Sequence, residues 1–598
     1  MVAVGLSPRN AAKHTIRRRG ATAERSHKTV AFNRRSATRE HNTPHLIGLS
    51  LAVLVLFATG VVAAAIPEEA KFSQSAGAVG TFDFVEVTLK LERPGALNPF
   101  TDAELGGEFS MEGGGPLRVD GFCDSDDGSL YRIRFMPLKP GRYVYTATFR
   151  SGDLVFSKQG RFRARDARQP GVVRVDGQHP FHFVYEGTGA HYFWNSTTTY
   201  QILGWDDDTL LKSIERLARL GVNRVRVALC GRTEGGQRWS EPLVVRTKKF
   251  DFKMEPWPAA RPDDLKNPGY DVTRFNLAHW RKADRLLRRA RDLGVQVSLI
   301  FYVDGRDAGV DPFGHEGMGG PDEQRYYRYV VARCGAFANV MWDVANEYRH
   351  FRNDAWAEQM GSFIKECDPY DHLTSVHGHG DFRFRASKWA DFAMYQSWDE
   401  HGGYAFMLKN REEQAKTGRP MPQVNEEYGY EDHYPTGWGE NRRPPARSAD
   451  SRRRLAWEIT MAGCHQTTGE RADRGTGAGA DTGGGWINGR GDDTMVMLHG
   501  YRHLMDFFKS FAWWTCEPRP DLAGKNAHCL AAAGKIYVVY LPKGGSTELK
   551  LEPGVYNTRW FNPRNGAFTK LSDAAGPAWS SPVAPDASDW ALLLERKD

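Results

Sequence analysis

The sequence predicts an α/β protein built on a central (β/α)8 barrel, a TIM barrel, with an all-β domain on each side. Three observations predict this fold class. Strand and helix patterns alternate over residues 172–512, alternating strands without a helix-length amphipathic segment precede them over 70–166, and strand patterns return over 515–598. A length of 598 residues agrees with about three or four domains.

The positive charge of the chain is concentrated at its N-terminus. The formal net charge is +7, but residues 1–45 hold ten Lys and Arg against two Asp and Glu, a net of +8. The remainder therefore carries a net charge of −1. A nearly neutral body offers no overall electrostatic attraction for nucleic acid, so we expect no nucleic-acid partner.

Residues 1–66 form a basic leader that runs into an apolar segment, Leu46–Ile66. The end of this segment, "VVAAAI", supplies Ala63 and Ala65, small residues of the kind that signal peptidase cleaves after. The arrangement is typical of a bacterial secretory signal with a long basic region. Because the segment is also long enough to span a bilayer, an uncleaved membrane anchor through residues 46–66 is the alternative. In both cases we expect an extracytoplasmic protein, secreted or periplasmic.

Residues 70–166 predict a β-sandwich. "FDFVEVTLKLE" alternates apolar and polar residues, "YRIRFMPLKPGRYVYTATFRS" gives two such runs around a Pro-Gly turn, and "KQGRFRAR" gives a further strand. No motif in this region carries chemistry, so its role is either a structural brace for the barrel or carbohydrate binding.

Residues 172–512 predict the barrel itself. The amphipathic segments "DDTLLKSIERLARLG" and "NLAHWRKADRLLRRARDLG" end at Gly221 and Gly294, and each leads into a Val-rich strand. Further strands are predicted in "NVMWDVANEYRH", "HLTSVHGHGD", "FAMYQSW" and "PQVNEEYGYE", with "GGGWING" as the least regular eighth unit. An open doubly wound sheet is the alternative. No G-x-G-x-x-G turn follows its first strand, so no dinucleotide site is indicated.

Residues 515–598 predict a second all-β domain. The segments "KIYVVYLPKGG", "STELKLEPGVYNTRWFNPRNGAF" and "DWALLLERKD" have strand patterns and are joined by Gly, Pro and Asn-Gly turns.

Functional residues of a (β/α)8 barrel lie at the C-terminal ends of its strands. The predicted strand ends carry Trp194/Asn195, Arg226, Tyr302/Asp304, Asn346/Glu347, His377/His379, Tyr395/Gln396, Glu426/Glu427 and Trp486. Two carboxylate sites, on strands four and seven, face one another across the barrel mouth. Hydrolysis of a glycosidic bond with retention needs such a pair, because one carboxylic acid protonates the leaving oxygen while one carboxylate attacks the anomeric carbon.

These motifs resemble a known set of domains. The two Glu sites resemble clan A glycoside hydrolases, and "NPF" (98–100), "VDGF" (119–122) and "RFMPLKPGRYVY" resemble the sandwich domain of unknown function that precedes certain glycoside hydrolase barrels. "YLPKGG", "RWFNPRNG" and "DWALLL" resemble the all-β module, named for collagen binding, at the C-terminus of apiosidase-like enzymes. The resemblance implies a secreted, retaining, cofactor-free glycoside hydrolase acting on a plant or algal cell-wall poly- or oligosaccharide. The acid/base motif "ANEY" and the insertion 231–272 depart from the family pattern.

Carried over residue by residue, the resemblance makes Glu347 the acid/base and lets Asn346 contact the sugar 2-hydroxyl. The nucleophile lies in "NEEYGYE", and Glu431 resembles a second, supporting acid of the apiosidase-like pattern.

Two adjacent residues compete for the nucleophile, Glu426 and Glu427. Strand alternation favours Glu427, because it shares parity with the polar Gln423 and Asn425 while Glu426 shares parity with the apolar Val424. The aromatic and small residues that follow Glu427 also match the family.

The expected supporting groups have physical roles. Arg226 is expected to keep the nucleophile ionised through its charge, and Glu347 is expected to have a raised pKa through partial burial and the neighbouring negative charge. Tyr395 and His377 resemble the groups that orient the carboxyl pair. Trp398 and Trp486 are candidates for stacking on sugar faces, with a packed core aromatic as the alternative.

Two other classes of protein compete with the glycosidase. His377-x-His379 suggests a metal-dependent hydrolase on the same barrel, but the later strand ends offer no further His ligand, so we expect no metal. The other class is a non-catalytic glycan-binding or adhesion protein, which would bind carbohydrate without hydrolysing it.

Overall fold

The computed structural model describes residues 70–231, 250, 254–264, 266–303, 305–306, 308–397, 403–431, 447–471, 485–491 and 495–597. The leader 1–66, the greater part of the insertion 231–272 and the candidate Trp398 lie outside the described residues. Within the described ranges, no helix has the length and apolar character needed to cross a membrane.

The N-terminal domain is a sandwich of two sheets. Its first sheet, in spatial order, holds Ala70–Gln74, Val85–Leu91, Leu130–Phe135 and Phe122–Cys123. Its second holds Ala78–Gly80, Leu154–Arg165, Gly141–Ser151, Ala103–Met111 and Pro116–Asp120. Inward-facing apolar residues of both sheets form one core, as period-two patterning requires.

Eight parallel strands form the centre of the molecule. They are β1 (Ser196–Thr198), β2 (Arg224–Ala228), β3 (Gln296–Ile300), β4 (Val340–Asp343), β5 (Thr374–Ser375), β6 (Ala393–Gln396), β7 (Gln423–Glu427) and β8 (His465–Thr468). Neighbours pair in the order β5-β4-β3-β2-β1-β8-β7-β6. Hydrogen bonds from Asp391 N to Thr374 O and from Ser375 Oγ to Phe392 O join the β5 and β6 sides. The nearly closed ring confirms the predicted (β/α)8 fold class.

The helices surround this ring. They are α1 (Asp207–Arg219), α2 (Leu277–Asp292), α3 (Pro321–Cys334), α4 (Asp354–Cys367), α5 (Gly403–Lys416), α6 (Ala449–Met461), α7 (Gly485–Asn488) and α8 (Met497–Phe508). Side-chain caps at Asp206, Asn353 and Ser448 accept backbone N–H groups of the first turns of α1, α4 and α6.

The barrel departs from the prediction in two places. Its eighth strand is β8 rather than "GGGWING", and Trp486 lies in the short helix α7. The connection 376–392 between β5 and β6, all of which is described, contains no helix.

β8 was missed because its sequence "HQTT" is entirely polar. Every one of these side chains is buried with a hydrogen-bond partner, such as Tyr428 OH for Gln466 and Trp194 Nε1 for Thr467.

A small antiparallel sheet closes the N-terminal end of the barrel. It consists of Val173–Val175, Phe183–Tyr185 and His191–Tyr192. Phe183 and Trp194 stack with ring centroids 4.9 Å apart and share one apolar cluster with Met341 and Val424 of the barrel interior. Trp194, expected at the mouth, therefore lies at the closed end.

The C-terminal domain is again all β. Its main sheet runs, in spatial order, through Glu517–Pro518, His528–Ala532, Ile536–Leu541, Trp590–Arg596, Val555–Asn562 and Ala567–Lys570, with Ala574–Ala575 also paired to Val555–Asn562. Glu548–Lys550 and Ala578–Ser580 form a separate pair.

Buried ion pairs connect both β domains to the barrel. Arg134 of the sandwich donates two hydrogen bonds to Asp284 of α2, at 3.0 and 2.8 Å, and Arg333 of α3 donates to the same carboxylate. On the other side, Arg453 of α6 donates to Asp589 of the C-terminal domain at 2.7 Å. These contacts favour a bracing role for the two β domains.

Candidate active site

Two carboxyl groups and one amide meet at the mouth of the barrel. Gln396, the last residue of β6, donates through Nε2 to Glu347 Oε1 and to Glu427 Oε2, each at 2.7 Å. Two oxygens that lie 2.7 Å from one nitrogen are at most twice that distance, 5.4 Å, apart. The residues predicted as a pair from strands four and seven therefore lie within reach of one small group.

Glu427 reaches the mouth because β7 is irregular at its end. The β6–β7 register shifts by one residue, so Tyr395 lies opposite Asn425 and Gln396 lies opposite Glu427. Val424 packs in the barrel interior and Gln423 faces outward, which makes the parity argument for Glu427 wrong in its premise. The shift re-aims the side chain that follows it, as β-bulges near active sites do.

Glu426 has a different environment from its neighbour. It is fully buried inside the barrel, where its Oε1 lies 2.9 Å from Arg224 Nη2 and its Oε2 accepts a hydrogen bond from Arg224 Nη1 at 3.1 Å. Arg226 is also near, 3.8 Å from Glu426 Oε2. This carboxylate neutralises buried guanidinium groups and lies below the mouth.

Two tyrosines hold the other oxygen of Glu427. The hydroxyls of Tyr200 and Tyr430 both donate to Glu427 Oε1 in close hydrogen bonds, and they lie 2.9 Å from each other. Burial, followed by the charge of Glu427, raises the pKa of both phenols well above the ordinary value, so both stay protonated as donors.

Arg226 contacts the site differently from the expectation. It donates to Asp343 Oδ2 at 2.7 Å, to Asn346 Oδ1 at 3.1 Å and to Tyr200 OH at 3.1 Å. It thus reaches Glu427 through Tyr200 and through its electric field. Its direct carboxylate partner is Asp343, whose pKa is raised to about 6 because burial outweighs the attraction of Arg226.

The pKa values of the two glutamates are ordered opposite to the expectation. Burial, and then the negative charge of Glu347, raise the pKa of Glu427 to about 8, although Arg226 and the tyrosines oppose this. Burial also disfavours ionisation of Glu347, but hydrogen bonds from His350 and Gln396 outweigh it and lower its pKa. At a pH between these two values, this order favours a pair that holds one proton, on Glu427.

Asn346 is oriented by two donors. Its Oδ1 accepts from His377 Nδ1 at 2.5 Å and from Arg226 Nη2 at 3.1 Å, and it lies 3.5 Å from the oxygen of Tyr200, whose single proton is donated to Glu427. Because the oxygen faces these groups, the Nδ2 donor faces away from them. His377 is fully buried and orients Asn346, and through Asn346 the end of β4.

Three further predicted residues lie around this centre. Tyr395 faces outward, donating to Gln423 Oε1 at 2.7 Å and packing on Phe406 of α5, so the predicted contact with the carboxyl pair is wrong. Trp486 is only 2% exposed and stacks on Tyr430 at 4.2 Å, which makes it a packed aromatic behind the site. Glu431 accepts from Arg471 N at 2.9 Å and links the loops after β7 and β8.

Sequence patterns did not indicate Tyr200 and Tyr430 as site residues, and they indicated no role for Gln396. Each lies at or just after a strand end, which was the available signal, but the aromatic residues have the appearance of core residues in the sequence. Among the described residues, no group of three or more His, Cys, Asp or Glu is placed to hold a metal ion. His379 instead lies with Nδ1 at 3.1 Å from Gln396 Oε1.

Solved structures share this fold. A structure described as "a putative glycoside hydrolase" from Bacteroides vulgatus is 21% identical, covers 87% of this chain and 100% of its own, and has a TM-score of 0.70. A glycoside hydrolase family 5 structure from Bacteroides vulgatus is 16% identical, covers 72% of this chain and 94% of its own, and has a TM-score of 0.56. No curated protein matches the chain. The fold is that of a glycoside hydrolase barrel.

Family matches define the chain more closely. Residues 243–472 match the family described as "Apiosidase-like, catalytic domain". Residues 78–150 match the domain of unknown function DUF5060, and residues 521–595 match the "Putative collagen-binding domain of a collagenase". A segment that matches the apiosidase-like catalytic domain therefore lies between matches to these two modules, which confirms the resemblance predicted from the motifs.

Proposed function

We propose that the chain is an exported, retaining glycoside hydrolase that cleaves a plant or algal cell-wall poly- or oligosaccharide by double displacement. The observation that carries the proposal is the pair of glutamates bridged by Gln396, with facing oxygens at most 5.4 Å apart. Carboxyl groups of retaining enzymes are roughly 5–5.5 Å apart, whereas inverting enzymes leave roughly 6.5–9.5 Å for a water.

Exposure supports the assignment of the two roles. Glu427 is buried and held by two tyrosines, which suits a nucleophile that must attack one carbon from one direction. The Glu347 side chain is 17% exposed, which suits a group that protonates the leaving oxygen and later deprotonates an incoming water. In the first step Glu427 bonds to the anomeric carbon as the glycosidic bond breaks. In the second, water activated by Glu347 releases the sugar.

The reaction needs one proton on the pair, in the position of Glu347. The order of the two pKa values favours that proton on Glu427 in the resting site, so substrate binding must favour the other tautomer. A glycosidic oxygen within hydrogen-bond reach of Glu347 supplies an acceptor for a protonated carboxyl group there. As Glu427 becomes an ester its charge disappears, and the repulsion that opposes ionisation of Glu347 disappears with it.

We expect kcat/KM to fall as the pH rises through about 8. Glu427 has a raised pKa, so the pair keeps its proton below about pH 8 and becomes a dianion without an acid above it. A pH profile of kcat/KM on a hydrolysed glycan measures this limb. In Glu347→Gln the neighbouring charge is absent, so the pKa of Glu427 should fall in a titration followed by ¹³C NMR. An alkaline limb unrelated to this pKa would contradict the assignment.

The proposed activity is tested with a panel of wall polysaccharides and oligosaccharides. Hydrolysis of one of them is expected, and NMR of the first product should show retained anomeric configuration. Inverted configuration would refute the nucleophilic role of Glu427. Chelator treatment is the companion measurement, because chelator-sensitive activity with stoichiometric zinc would favour the metal-dependent class instead.

Export is proposed from the basic leader and the apolar segment Leu46–Ile66. N-terminal sequencing of the protein from a producing cell tests the fate of the segment. A start near residue 66 indicates cleavage, and a start at Met1 in a membrane fraction indicates anchoring.

A further inference from the structure

Gln396 donates hydrogen bonds to both carboxyl groups of the site. One nitrogen, Nε2, lies 2.7 Å from Glu347 Oε1 and 2.7 Å from Glu427 Oε2. A carboxamide nitrogen has two N–H groups, so each carboxyl group receives one of them. Oε1 of the amide accepts from His379 Nδ1 at 3.1 Å, which fixes the amide orientation with its donors toward the carboxyl groups.

The backbone around Gln396 is held from both sides. Gln396 N donates to His379 O at 3.1 Å, and Ser397 N donates to Glu427 O at 2.8 Å. The register shift between β6 and β7 falls at the same place, between Tyr395 and Gln396. Gln396 is 7% exposed. These backbone hydrogen bonds and this burial hold its amide in place at the mouth of the barrel.

The two oxygens of Glu427 differ in how many donors they receive. Oε1 accepts from both Tyr200 and Tyr430, whereas Oε2 accepts from Gln396 alone among the described residues. An oxygen with two donors has little electron density free for attack. When Glu427 is ionised, Oε2 therefore has a lone pair available on the side of Glu347.

We propose that Gln396 is a positioning residue that holds both carboxyl groups at reaction distance and presents Oε2 of Glu427 as the attacking oxygen. The proposal rests on the proposed glycosidase function. It gives the last residue of β6 a role in catalysis that neither the sequence motifs nor the family matches indicate.

The proton and electron balance of the first step explains why one shared amide is useful. Oε2 bonds to the anomeric carbon, the glycosidic bond breaks, and its electron pair stays on the leaving oxygen, which takes the proton of Glu347. The negative charge thus passes from Glu427 to Glu347 during the step. Gln396 touches both groups, so it donates to the charged carboxylate before and after the transfer without changing place.

The test replaces Gln396 by a side chain of similar length without donors, Gln396→Met. Loss of N–H donors to charged carboxylates should raise the pKa of both groups. We expect both limbs of the kcat/KM profile to move to higher pH by about one unit. We expect kcat to fall roughly 10- to 100-fold because the carboxyl groups lose their common support.

The matched control is Gln423→Met on the neighbouring strand. Gln423 is also buried but faces outward, where its Oε1 accepts from Tyr395 OH. This change should leave both limbs of the pH profile in place even if it lowers stability. Should Gln396→Met fail to fold, Gln396→Asn, which withdraws the amide by one methylene, is expected to move the limbs in the same direction.

A titration of ¹³C-carboxyl-labelled glutamate, assigned with Glu347→Gln and Glu427→Gln, gives a readout independent of any substrate. Carboxyl pKa values unchanged by both Gln396 variants would overturn the proposal, even if kcat were lower. Absence of glycan hydrolysis by the wild-type protein would instead remove the proposed function, and the titration would still show whether Gln396 supports the pair.

Discussion

Replacing Glu427 by Gln is expected to abolish turnover while leaving the fold intact. An amide of the same shape cannot form the glycosyl ester, so kcat should fall on the order of 10⁴-fold or more, the scale seen when a nucleophile is removed. Glu347→Gln should lower kcat roughly 10²- to 10⁴-fold, because it removes general acid and base assistance. Both variants should still bind the glycan in isothermal titration calorimetry.

The neighbouring Glu426 provides the discriminating control. Glu426→Gln removes a negative charge that neutralises the Arg224 guanidinium inside the barrel. Because both side chains are fully buried, the main effect should be lower stability of the protein. Rates are measured on a confirmed substrate, with circular dichroism to establish folding. If folded Glu426→Gln lost turnover while Glu427→Gln kept the wild-type rate, the nucleophile would be assigned to the wrong residue.

Asp284→Ala is expected to lower the stability of the protein by about 3–5 kcal/mol, the cost of removing one partner from a buried ion pair. Burial opposes ionisation of Asp284, but Arg134 and Arg333 outweigh it and lower its pKa to about 2. Removing the carboxylate leaves two buried guanidinium groups, of Arg134 from the sandwich and Arg333 from α3, facing each other with Glu86 and Asp124 as their remaining acidic partners. The sandwich should then separate from the barrel more easily.

Chemical denaturation followed by tryptophan fluorescence, together with limited proteolysis of the junction between the sandwich and the barrel, measures this effect. The control is Asp292→Asn on the same helix, where the carboxylate is 54% exposed and the expected change is within about 0.5 kcal/mol. Equal denaturation midpoints for the two variants would mean that the Arg134–Asp284–Arg333 contact does not hold the domains together.

The barrel, and its two strands that end in carboxylates, were predictable because the sequence patterns that indicate them are local. Apolar runs that end in polar residues, and helices that stop at glycine, depend on neighbours in the sequence alone. β8 was not predictable in the same way. Its "HQTT" sequence is stable inside the barrel only because partners such as Trp194 and Tyr428 satisfy its polar groups.

The contacts inside the site depended on register. A shift of one residue in the pairing of β6 with β7 places Glu427, rather than Glu426, opposite Gln396 at the mouth. Side chains along a strand alternate between its two faces. One extra residue therefore moves every later side chain to the opposite face, and no local sequence pattern predicts where such a residue is inserted.

The sequence by itself therefore determined the class of fold, the order of the domains and the two barrel strands, β4 and β7, that end in carboxylates. Only the tertiary structure decided that Gln396 joins Glu347 to Glu427, that Tyr200 and Tyr430 hold one oxygen of Glu427, and that burial raises the pKa of Glu427. Composition and periodicity report which residues are buried. A pKa depends on burial and on charges a few ångströms away, which only the folded chain brings together.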